Sequence, residues 1–329
     1  MTLGELIDVH THVVPKKFPA NPAPATNQRW PCLCQHSPDR ATIEFGGKPF
    51  RELDARSWDI DSRIEAMDRD RVSAQVLSPM PELLSYWFPA DEGLELARHV
   101  NAEIAEMVAR SPERFFGFAT VPLQEPALAA RELSRLKQEG FKGIEIGSNV
   151  NGLLLADPCF DEFFAEAERL ALALFVHALH PIGAERLAAF PELVPYAAFP
   201  LDTGLAAIAL IRAGHLERFP TLRIGFSHGG GALSSLVHRL HQGWLMTEHF
   251  GGQLPCSPRS YAARFYYDSL VYDAKYLQTL IADFAAGQFF AGSDFPYAIE
   301  QKDLHGFVTG AGVTDDLFAG TAKRFLGVL

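Results

Sequence analysis

The sequence predicts an α/β fold, a (β/α)8 barrel of the TIM type with a small insertion after its first strand. Short apolar segments alternate with longer helical patterns along the 329 residues, as they do in a parallel sheet covered by helices. A hydrophobic content of 48% is sufficient for the core of one barrel of this length. Several apolar segments end in His or Asp, and such barrels carry their reactive groups at the carboxyl ends of strands.

Eight strands and seven helical patterns follow from the periodicity of apolar residues. The predicted strands are residues 6–13, 74–80, 115–122, 143–147, 173–178, 223–228, 265–269 and 289–293. The helical patterns are residues 61–70, 91–110, 126–139, 157–171, 201–213, 232–249 and 273–286. Ser111-Pro112 and Gly140 follow two of these patterns, where signals that end helices are expected.

Residues 15–59 do not fit a simple connection between a strand and a helix. They are rich in Pro, Asn and Gly, and they contain a possible small strand at Ala41–Phe45, before Gly46-Gly47. A loop of this length in a compact protein is usually a functional lid or a small subdomain. The sequence therefore predicts one domain over residues 1–329, with an insertion at about residues 15–59.

Charge and cysteine content exclude several classes of protein. The formal net charge of −11 makes a nucleic-acid partner unfavourable, because phosphate binding requires a basic surface. The four cysteines are too few and too scattered for a disulfide framework. Cys32-x-Cys34-x-His36 is compatible with a second metal site, but structural zinc motifs space their thiols more widely. We therefore expect free thiols in a loop after the first strand.

The segment patterns also predict the location of the protein. No uninterrupted apolar run approaches the ~20 residues that a membrane-spanning helix needs. A cleaved signal peptide of roughly 15–30 residues would remove His10 and His12. We expect a cytoplasmic protein with no membrane partner.

His10 and His12 are the strongest functional signal in the sequence. They alternate with apolar residues in the first predicted strand, so their side chains lie on the same face. Two buried imidazoles side by side are costly unless they share a partner such as a metal ion. Asp8 lies deeper on this face, where it either orients a ligand or forms hydrogen bonds in the core.

Two further residues end predicted strands and complete a metal site. His177 ends the fifth strand, and strand register favours it over His180, which precedes Pro181 in a loop. Asp294 ends the eighth strand; the alternative is that it caps a helix. Three imidazoles and a carboxylate suit zinc or another divalent transition metal with an open coordination position.

His228 ends the sixth predicted strand and precedes Gly229-Gly230-Gly231. An imidazole beside a metal site is suited to general acid/base catalysis, because its unperturbed pKa is ~6.5. The alternative is that His228 is a fourth imidazole ligand. The remaining histidines lie in helical or loop patterns with no converging partner, and we expect structural or surface roles for them.

Nearly the whole chain resembles the amidohydrolase superfamily, and most closely its α-amino-β-carboxymuconate-ε-semialdehyde decarboxylase-like branch. The segments that carry the resemblance are Asp8-Val-His-Thr-His12, Arg63-Ile-Glu-Ala-Met-Asp68, Val121-Pro-Leu-Gln124, Ser227-His-Gly-Gly-Gly231 and Gly292-Ser-Asp-Phe-Pro296. The histidine pair alone is typical of the whole superfamily, whereas the last two segments in this order are more specific.

The resemblance implies a set of metal ligands and a set of catalytic residues. The implied zinc ligands are His10, His12, His177 and Asp294, and the implied catalytic residues are His228 and Asp294. Many superfamily members bridge two metals with a modified lysine at the end of strand four. This chain has Gly143–Gly147 there and no lysine, so a mononuclear site is expected.

Two arginines are implied to bind substrate. Arg51, in the insertion, matches an arginine that holds a substrate carboxylate. Arg239, on the helix after the glycines, matches one that reaches the pocket of a neighbouring subunit. A guanidinium group pairs with a carboxylate through two parallel hydrogen bonds. The resemblance therefore implies a homodimer in which Arg239 acts in trans.

The predicted function is metal-dependent, cofactor-free decarboxylation of an unsaturated or aromatic carboxylic acid. The alternative is a hydrolase or hydratase of the same superfamily, because the fold and the metal site are shared. A metal-binding protein without catalysis is disfavoured, since the acid/base and anchoring residues are all present. The sequence His177-Ala-Leu-His180-Pro181 departs from the branch, which has Pro and an aromatic residue after this histidine. The resemblance therefore does not identify the exact substrate of this protein.

Overall fold

The computed structural model describes residues 5–246, 254–284 and 286–328. Eight parallel strands form one sheet in chain order. They are β1 (Ile7–Val13), β5 (Ala74–Pro79), β6 (Phe115–Ala119), β7 (Gly143–Gly147), β10 (Ala173–His177), β11 (Ile224–Phe226), β12 (Tyr266–Asp268) and β13 (Phe289–Phe290). The Val9 amide donates to the Ala291 carbonyl oxygen over 2.9 Å. The sheet is thereby nearly closed, which confirms the predicted (β/α)8 barrel.

Helices lie between the strands and after the last one. They are α1 (Ile60–Arg69), α2 (Ala90–Arg110), α3 (Pro126–Gln138), α4 (Asp161–Arg169), α5 (Phe199–Arg212), α6 (His215–Arg218), α7 (Leu233–Met246), α8 (Pro258–Ala262), α9 (Ala274–Phe284), α10 (Leu304–Gly310) and α11 (Asp315–Leu326). Side-chain caps set several starts: the Asp59 carboxylate accepts from the Ser62 amide at the beginning of α1. The predicted helix 232–249 extends to Met246, and its last residues lie outside the described part.

Three differences from the predicted elements have local causes. Strand β13 is shorter than predicted, because the Gly292 amide donates to the Ser269 hydroxyl instead of a strand carbonyl. Helices α6, α8, α10 and α11 were not predicted. The start of α4 is later than predicted, since Pro158–Phe160 forms a 3-10 turn first.

The insertion contains an antiparallel sheet of three strands, β2 (Pro31–Ser37), β3 (Arg40–Phe45) and β4 (Lys48–Asp54). The prediction of a loop around Cys32 and Cys34 was wrong, because both lie on β2. Both are free cysteines, as are Cys159 and Cys256. The only other short strands, β8 (Asn149–Val150) and β9 (Leu153–Leu154), form a hairpin in the described residues. The boundaries of the insertion stay a prediction.

One described helical stretch, Pro191–Arg212, is long and apolar enough to cross a membrane by length and composition alone. The sequence analysis overlooked it because Glu192 and Asp202 interrupt its apolar run. This stretch lies between β10 and β11, packs against α7, and has 44% of its most apolar window buried. Helices of a protein core pass the same test, so the finding is weak evidence for a membrane span. The cytoplasmic location stays a prediction.

The carboxyl-terminal helix closes one end of the barrel. Phe325 on α11 packs inside the sheet, with its ring 5.0 Å from that of Phe290. Apolar side chains from β1 and β10 fill the same space, including Val9 and Phe175. A cavity at this end is therefore blocked by packed rings, and the histidines at the opposite, carboxyl ends of the strands line the accessible end.

A buried histidine far from that end predicts how stability changes with pH. His215 is fully buried beside Phe164 and Phe219, and neither ring nitrogen has a hydrogen-bond partner in the described structure. Burial lowers the pKa of His215 from 6.5 to about 4, and Arg218 adds to the effect. Below pH 6.5 the unfolded chain gains a proton that the folded chain rejects, so the free energy of unfolding falls until about pH 4.

The variant His215→Leu is expected to remove about 3 kcal/mol of the change in unfolding free energy between pH 6.5 and about pH 4. Chemical denaturation of both proteins at a series of pH values measures the difference. His238→Leu is the control, because it removes a histidine at an exposed position of α7. An unchanged slope in the His215 variant would contradict the prediction.

Candidate active site

Four side chains from three strand ends converge at the open end of the barrel. One ligand atom from each of His10, His12, His177 and Asp294 lies within 4.8 Å of all the others, and all four residues are buried. The Nε2 atoms of His10 and His12 are 3.1 Å apart, and Asp294 Oδ1 is 3.1 Å from the second of these. The structure therefore brings together the four residues that the sequence analysis assigned to the metal.

The second ring nitrogens explain why these groups fit a cation. His10 Nδ1 lies 2.6 Å from Asp268 Oδ2, His12 Nδ1 lies 3.0 Å from the Pro79 oxygen, and His177 Nδ1 lies 2.9 Å from the Ala178 oxygen. With Nδ1 donating, each Nε2 presents a lone pair. Two lone pairs 3.1 Å apart repel each other unless a cation lies between them.

The protonation states and the carboxylate support the same interpretation. Burial lowers the pKa of His10 and of His12 to about 3, and it lowers the pKa of His177 well below its ordinary value. Neutral imidazole is the form that binds metals. Asp294 Oδ1 is buried and has no hydrogen-bond partner among the described residues. These donors fit a divalent metal ion.

The segment before Asp294 is held by Asp8. The Asp8 carboxylate accepts hydrogen bonds from the Ser293 amide over 3.1 Å and from the Ser293 hydroxyl over 2.5 Å. The Asp294 amide donates to the His10 carbonyl oxygen over 2.9 Å, which ties the two ligands together. The next helix begins at Leu304 and is capped by Asp303. Asp294 is therefore not a helix cap, and the alternative is excluded.

Arg63 fixes the strand that carries the histidine pair. Its fully buried guanidinium group donates to the His12 carbonyl oxygen, to the Thr11 hydroxyl and to the Gln75 side chain. The pairing of β1 with β5 shifts register between Asp8 and Thr11. This arrangement gives a physical role to the arginine in the motif that begins at residue 63.

Asp268 is a site residue that sequence reasoning missed. Besides binding His10 Nδ1, its carboxylate accepts from the amides of His228 and Gly229 over 2.9 and 2.7 Å. It ends β12, so the signal that identified the other residues, an acid at the end of an apolar strand, was also present here. Asp268 orients both a metal ligand and the turn that carries His228.

The variant Asp268→Asn is expected to weaken metal binding by about 10- to 100-fold, because His10 loses the partner that orients its ring. Competition with a chromophoric chelator measures the metal dissociation constant. Asp283→Asn makes the same chemical change at an exposed position of α9 and serves as the control. Equal metal affinity in the two variants would contradict the role of Asp268.

His228 lies beside the four ligands but is not one of them. Its ring centroid is 5.2 Å from that of His177 and 5.5 Å from that of His10. Its Nδ1 is 3.1 Å from the Ser227 hydroxyl oxygen. Burial lowers the pKa of His228 to about 3, with His177 and His10 adding to the effect. The resting imidazole is therefore neutral and able to accept a proton.

A cavity of about 410 Å³ lies over the cluster, a size that accommodates a small ligand. This cavity, the main cavity of the site, is lined by residues that include Arg51, Glu82, His177, His228, Asp294 and Tyr297. Arg51 comes from β4 of the insertion, and its guanidinium carbon lies 4.1 Å from the centroid of the Tyr297 ring. Arg51 therefore lines the cavity beside the metal-ligand cluster, and its binding of a substrate carboxylate stays a prediction.

Two other predicted residues lie outside this cavity. The His180 ring packs 4.9 Å from the Trp87 ring, and its Nε2 lies 3.3 Å from an Arg29 nitrogen. His177 is therefore the member of the pair that joins the cluster. Arg239 is exposed on α7 and does not line the cavity of its own chain. Its predicted role in trans stays a prediction.

The nearly closed barrel and its three-histidine, one-carboxylate site define a metal-dependent enzyme class whose reactive groups lie at the ends of parallel strands. The chain belongs to the amidohydrolase family, whose model matches residues 7–328. It is 34% identical to 2-amino-3-carboxymuconate-6-semialdehyde decarboxylase of Dictyostelium discoideum, over 98% of this chain and 91% of that one. The family resemblance inferred from the sequence is thereby confirmed.

Solved structures share the whole fold. The structure of 5-carboxyvanillate decarboxylase from Sphingomonas paucimobilis has a TM-score of 0.83 and 26% identity, covering 99% of both chains. Dihydroxybenzoic acid decarboxylase from a Polaromonas species, with bound manganese and 2-nitroresorcinol, has a TM-score of 0.78. Its identity is 22%, and the match covers 99% of this chain and 98% of that one. This second likeness shows the fold alone.

Proposed function

We propose that the protein is a metal-dependent, cofactor-free decarboxylase of an unsaturated or aromatic carboxylic acid. The observation that carries the proposal is the convergence of three neutral imidazoles and Asp294 beside His228, beneath a cavity that Arg51 enters. The named relatives are decarboxylases, so the hydrolase alternative is not favoured.

The residues divide the work of the reaction. His10, His12, His177 and Asp294 would hold a divalent metal ion, which would supply Lewis-acid chemistry for polarising a substrate oxygen. Arg51 binds a substrate carboxylate and orients the carbon–carbon bond that breaks. As that bond breaks, its electron pair stays on the substrate carbon and CO2 leaves. His228, whose Nδ1 lies beside Ser227 Oγ, uses Nε2 to take up a proton from solvent water and then to deliver it to that carbon, so the proton that the reaction consumes comes from solvent.

Zinc, bound as a single ion, is the metal that we propose for this site. Imidazole nitrogens and carboxylate oxygens are donor atoms that bind zinc. A further coordination position of the metal would be open to substrate. Strand β7 ends at Gly147 and offers no lysine for a second metal. Because the Polaromonas structure has bound manganese, the test compares the protein reconstituted with each metal.

The decisive experiment combines metal analysis with CO2 release on one purified sample. Carboxymuconate semialdehydes, hydroxybenzoates and methoxylated hydroxybenzoates form the substrate panel. About one metal per chain together with CO2 release from a panel member supports the proposal. The same metal content without CO2 from any acid would contradict decarboxylation, and products of hydration or hydrolysis in the same samples would identify the rival activity.

We also propose that the active unit is a homodimer in which Arg239 completes the neighbouring cavity. Arg239 is exposed on α7, and α7 packs against α5. Large exposed apolar side chains occur on the stretch that leads into α5 and at the end of α7: Phe190, Leu193, Tyr196, Leu201, Leu245 and Met246. Exposed apolar surface of this kind is typical of subunit interfaces.

Mixing two inactive variants tests the trans arrangement. Subunits with Arg239→Ala and subunits with His228→Ala are dissociated together and reassociated. If Arg239 acts in trans, one site in each mixed dimer contains both residues, and roughly a quarter of wild-type activity returns. If Arg239 acts within its own chain, no site is complete and no activity returns. Light scattering of the wild-type protein measures its oligomeric state independently.

A further inference from the structure

Glu82 is an acidic side chain in the main cavity that neither the metal site nor the proposed acid/base chemistry uses. It lies in the 3-10 turn Pro81–Leu84, directly after β5. This turn is attached to the metal site, because the preceding Pro79 oxygen accepts from the His12 ring. The Met80 amide also donates to the Val13 oxygen over 3.0 Å. The position of Glu82 relative to the metal ligands is therefore constrained.

The carboxyl group of Glu82 is only partly satisfied by the protein. Its Oε2 atom is buried and has no hydrogen-bond partner among the described residues. Burial raises the pKa of Glu82. The positive charges of Arg51 and Arg29 act in the opposite direction, but burial has the larger effect. A buried acceptor without a partner destabilises a protein unless a ligand provides one.

Comparison with the other carboxylates distinguishes Glu82 from a structural group. Asp8 and Asp268 each accept at least two hydrogen bonds within the protein. Several other described carboxylates also have a buried oxygen without a partner: Glu145, Asp161, Asp294, Glu300 and Asp315. Of these groups together with Glu82, only Glu82 and Asp294 line the main cavity. The metal accounts for Asp294, and Glu82 is left to meet a ligand.

Charge indicates what kind of ligand group Glu82 meets. Arg51 provides a positive pole in the cavity, and Glu82 and Asp294 provide acidic groups. A second substrate carboxylate beside Glu82 would be repelled, whereas an N–H or O–H group would supply the missing hydrogen bond. A methyl or methoxy group there would leave the Glu82 oxygen without a partner.

We propose that Glu82 is a specificity-determining residue that accepts a hydrogen bond from an amino or hydroxyl group of the substrate. The inference rests on the proposed function, because it assumes that the acid to be decarboxylated binds in this cavity. The substrate is then an acid that carries a hydrogen-bond donor at a distance from the carboxylate that Arg51 binds. Glu82 selects such acids over otherwise identical acids in which the donor is blocked.

The test compares matched ligands on the metal-loaded protein. One probe pair is 2,6-dihydroxybenzoate, a known ligand of a structural relative, and its di-O-methyl ether, in which both hydroxyl donors are blocked; aminobenzoates and their N,N-dimethyl derivatives extend the panel. Equilibrium binding and CO2 release are both measured. The wild-type protein is expected to prefer the donor-bearing member of a pair by about 10- to 100-fold, and Glu82→Leu is expected to abolish this preference.

Controls separate recognition from structural damage. Glu300→Gln removes another carboxylate with a buried, unpartnered oxygen that lies outside the main cavity, and it is expected to keep the wild-type preference. If Glu82→Leu fails to fold, Glu82→Gln decides the question, with an expected loss of at least about threefold in the preference. An unchanged preference in the variant that folds would overturn the inference.

The two readouts distinguish this inference from the proposed function. A binding preference that Glu82→Leu removes supports the role of Glu82 even when no acid releases CO2, a result that would contradict decarboxylation alone. Equal weakening of both members of every pair would show that Glu82 has only a structural role. Absence of any preference in the wild-type protein across the panel would also overturn the inference.

Discussion

His177→Ala is expected to remove the metal and to lower CO2 release by about 1000-fold or more. The substitution leaves only two imidazoles and one carboxylate to bind the metal. Water can enter the volume that the His177 side chain vacates, but it does not replace the imidazole as a ligand of equal strength. The effect is large because the imidazole nitrogens and Asp294 Oδ1 converge within 4.8 Å. Metal content after dialysis and the initial rate of CO2 release measure the two consequences.

His180→Ala is the matched control for this variant. His180 lies three positions further along the chain, but it packs against Trp87 and does not line the main cavity. We expect it to retain stoichiometric metal. Full metal content in His177→Ala, or metal loss in His180→Ala, would contradict the ligand set that the structure brings together.

His228→Ala is expected to retain the metal and to lower the rate of decarboxylation by about 100- to 10,000-fold. The reason is that, among the described residues, no other histidine outside the ligand set lines the main cavity, so the proton transfer to carbon loses its carrier. Metal analysis and single-turnover CO2 release separate loss of chemistry from loss of metal. His238→Ala, at an exposed position of α7, is the control.

The metal content of the His228 variant decides between the two roles that the sequence left open. Retained metal with a slow reaction supports proton transfer by His228. Loss of metal would instead identify His228 as a fourth imidazole ligand. Unchanged activity with metal bound would contradict both roles and therefore the proposed mechanism.

Periodicity was sufficient to locate most of the barrel. Strand β7 was predicted at its observed bounds, and β1 and β10 differ from the prediction by one residue at an end. Strands that are buried on both faces leave continuous apolar runs, and a metal ligand at the end of such a run stands out as a polar residue. The same contrast identifies His10, His12, His177 and Asp294 from the sequence alone.

Weak local patterns explain the elements that the sequence did not predict. Strand β2 carries Cys32, Cys34 and His36, and its mixture of exposed and half-buried side chains gives no clear alternation. Helix α5 was predicted, but the longer apolar stretch Pro191–Arg212 that contains it was overlooked because Glu192 and Asp202 interrupt the run. Asp202 is nevertheless buried, and hydrogen bonds from the Asn149 side chain and the Ile182 amide compensate its carboxylate for the loss of water.

The sequence by itself determined the barrel, the four metal-binding residues and the position of His228, because each is marked by a local pattern of apolar residues ending in a polar one. Only the tertiary structure decided the partners of those residues. Asp268 meets His10 across 258 positions of the chain, and Glu82 is left without a protein partner in the cavity. Contacts of this kind depend on how the closed sheet brings distant strand ends together, and no periodicity along the chain records them.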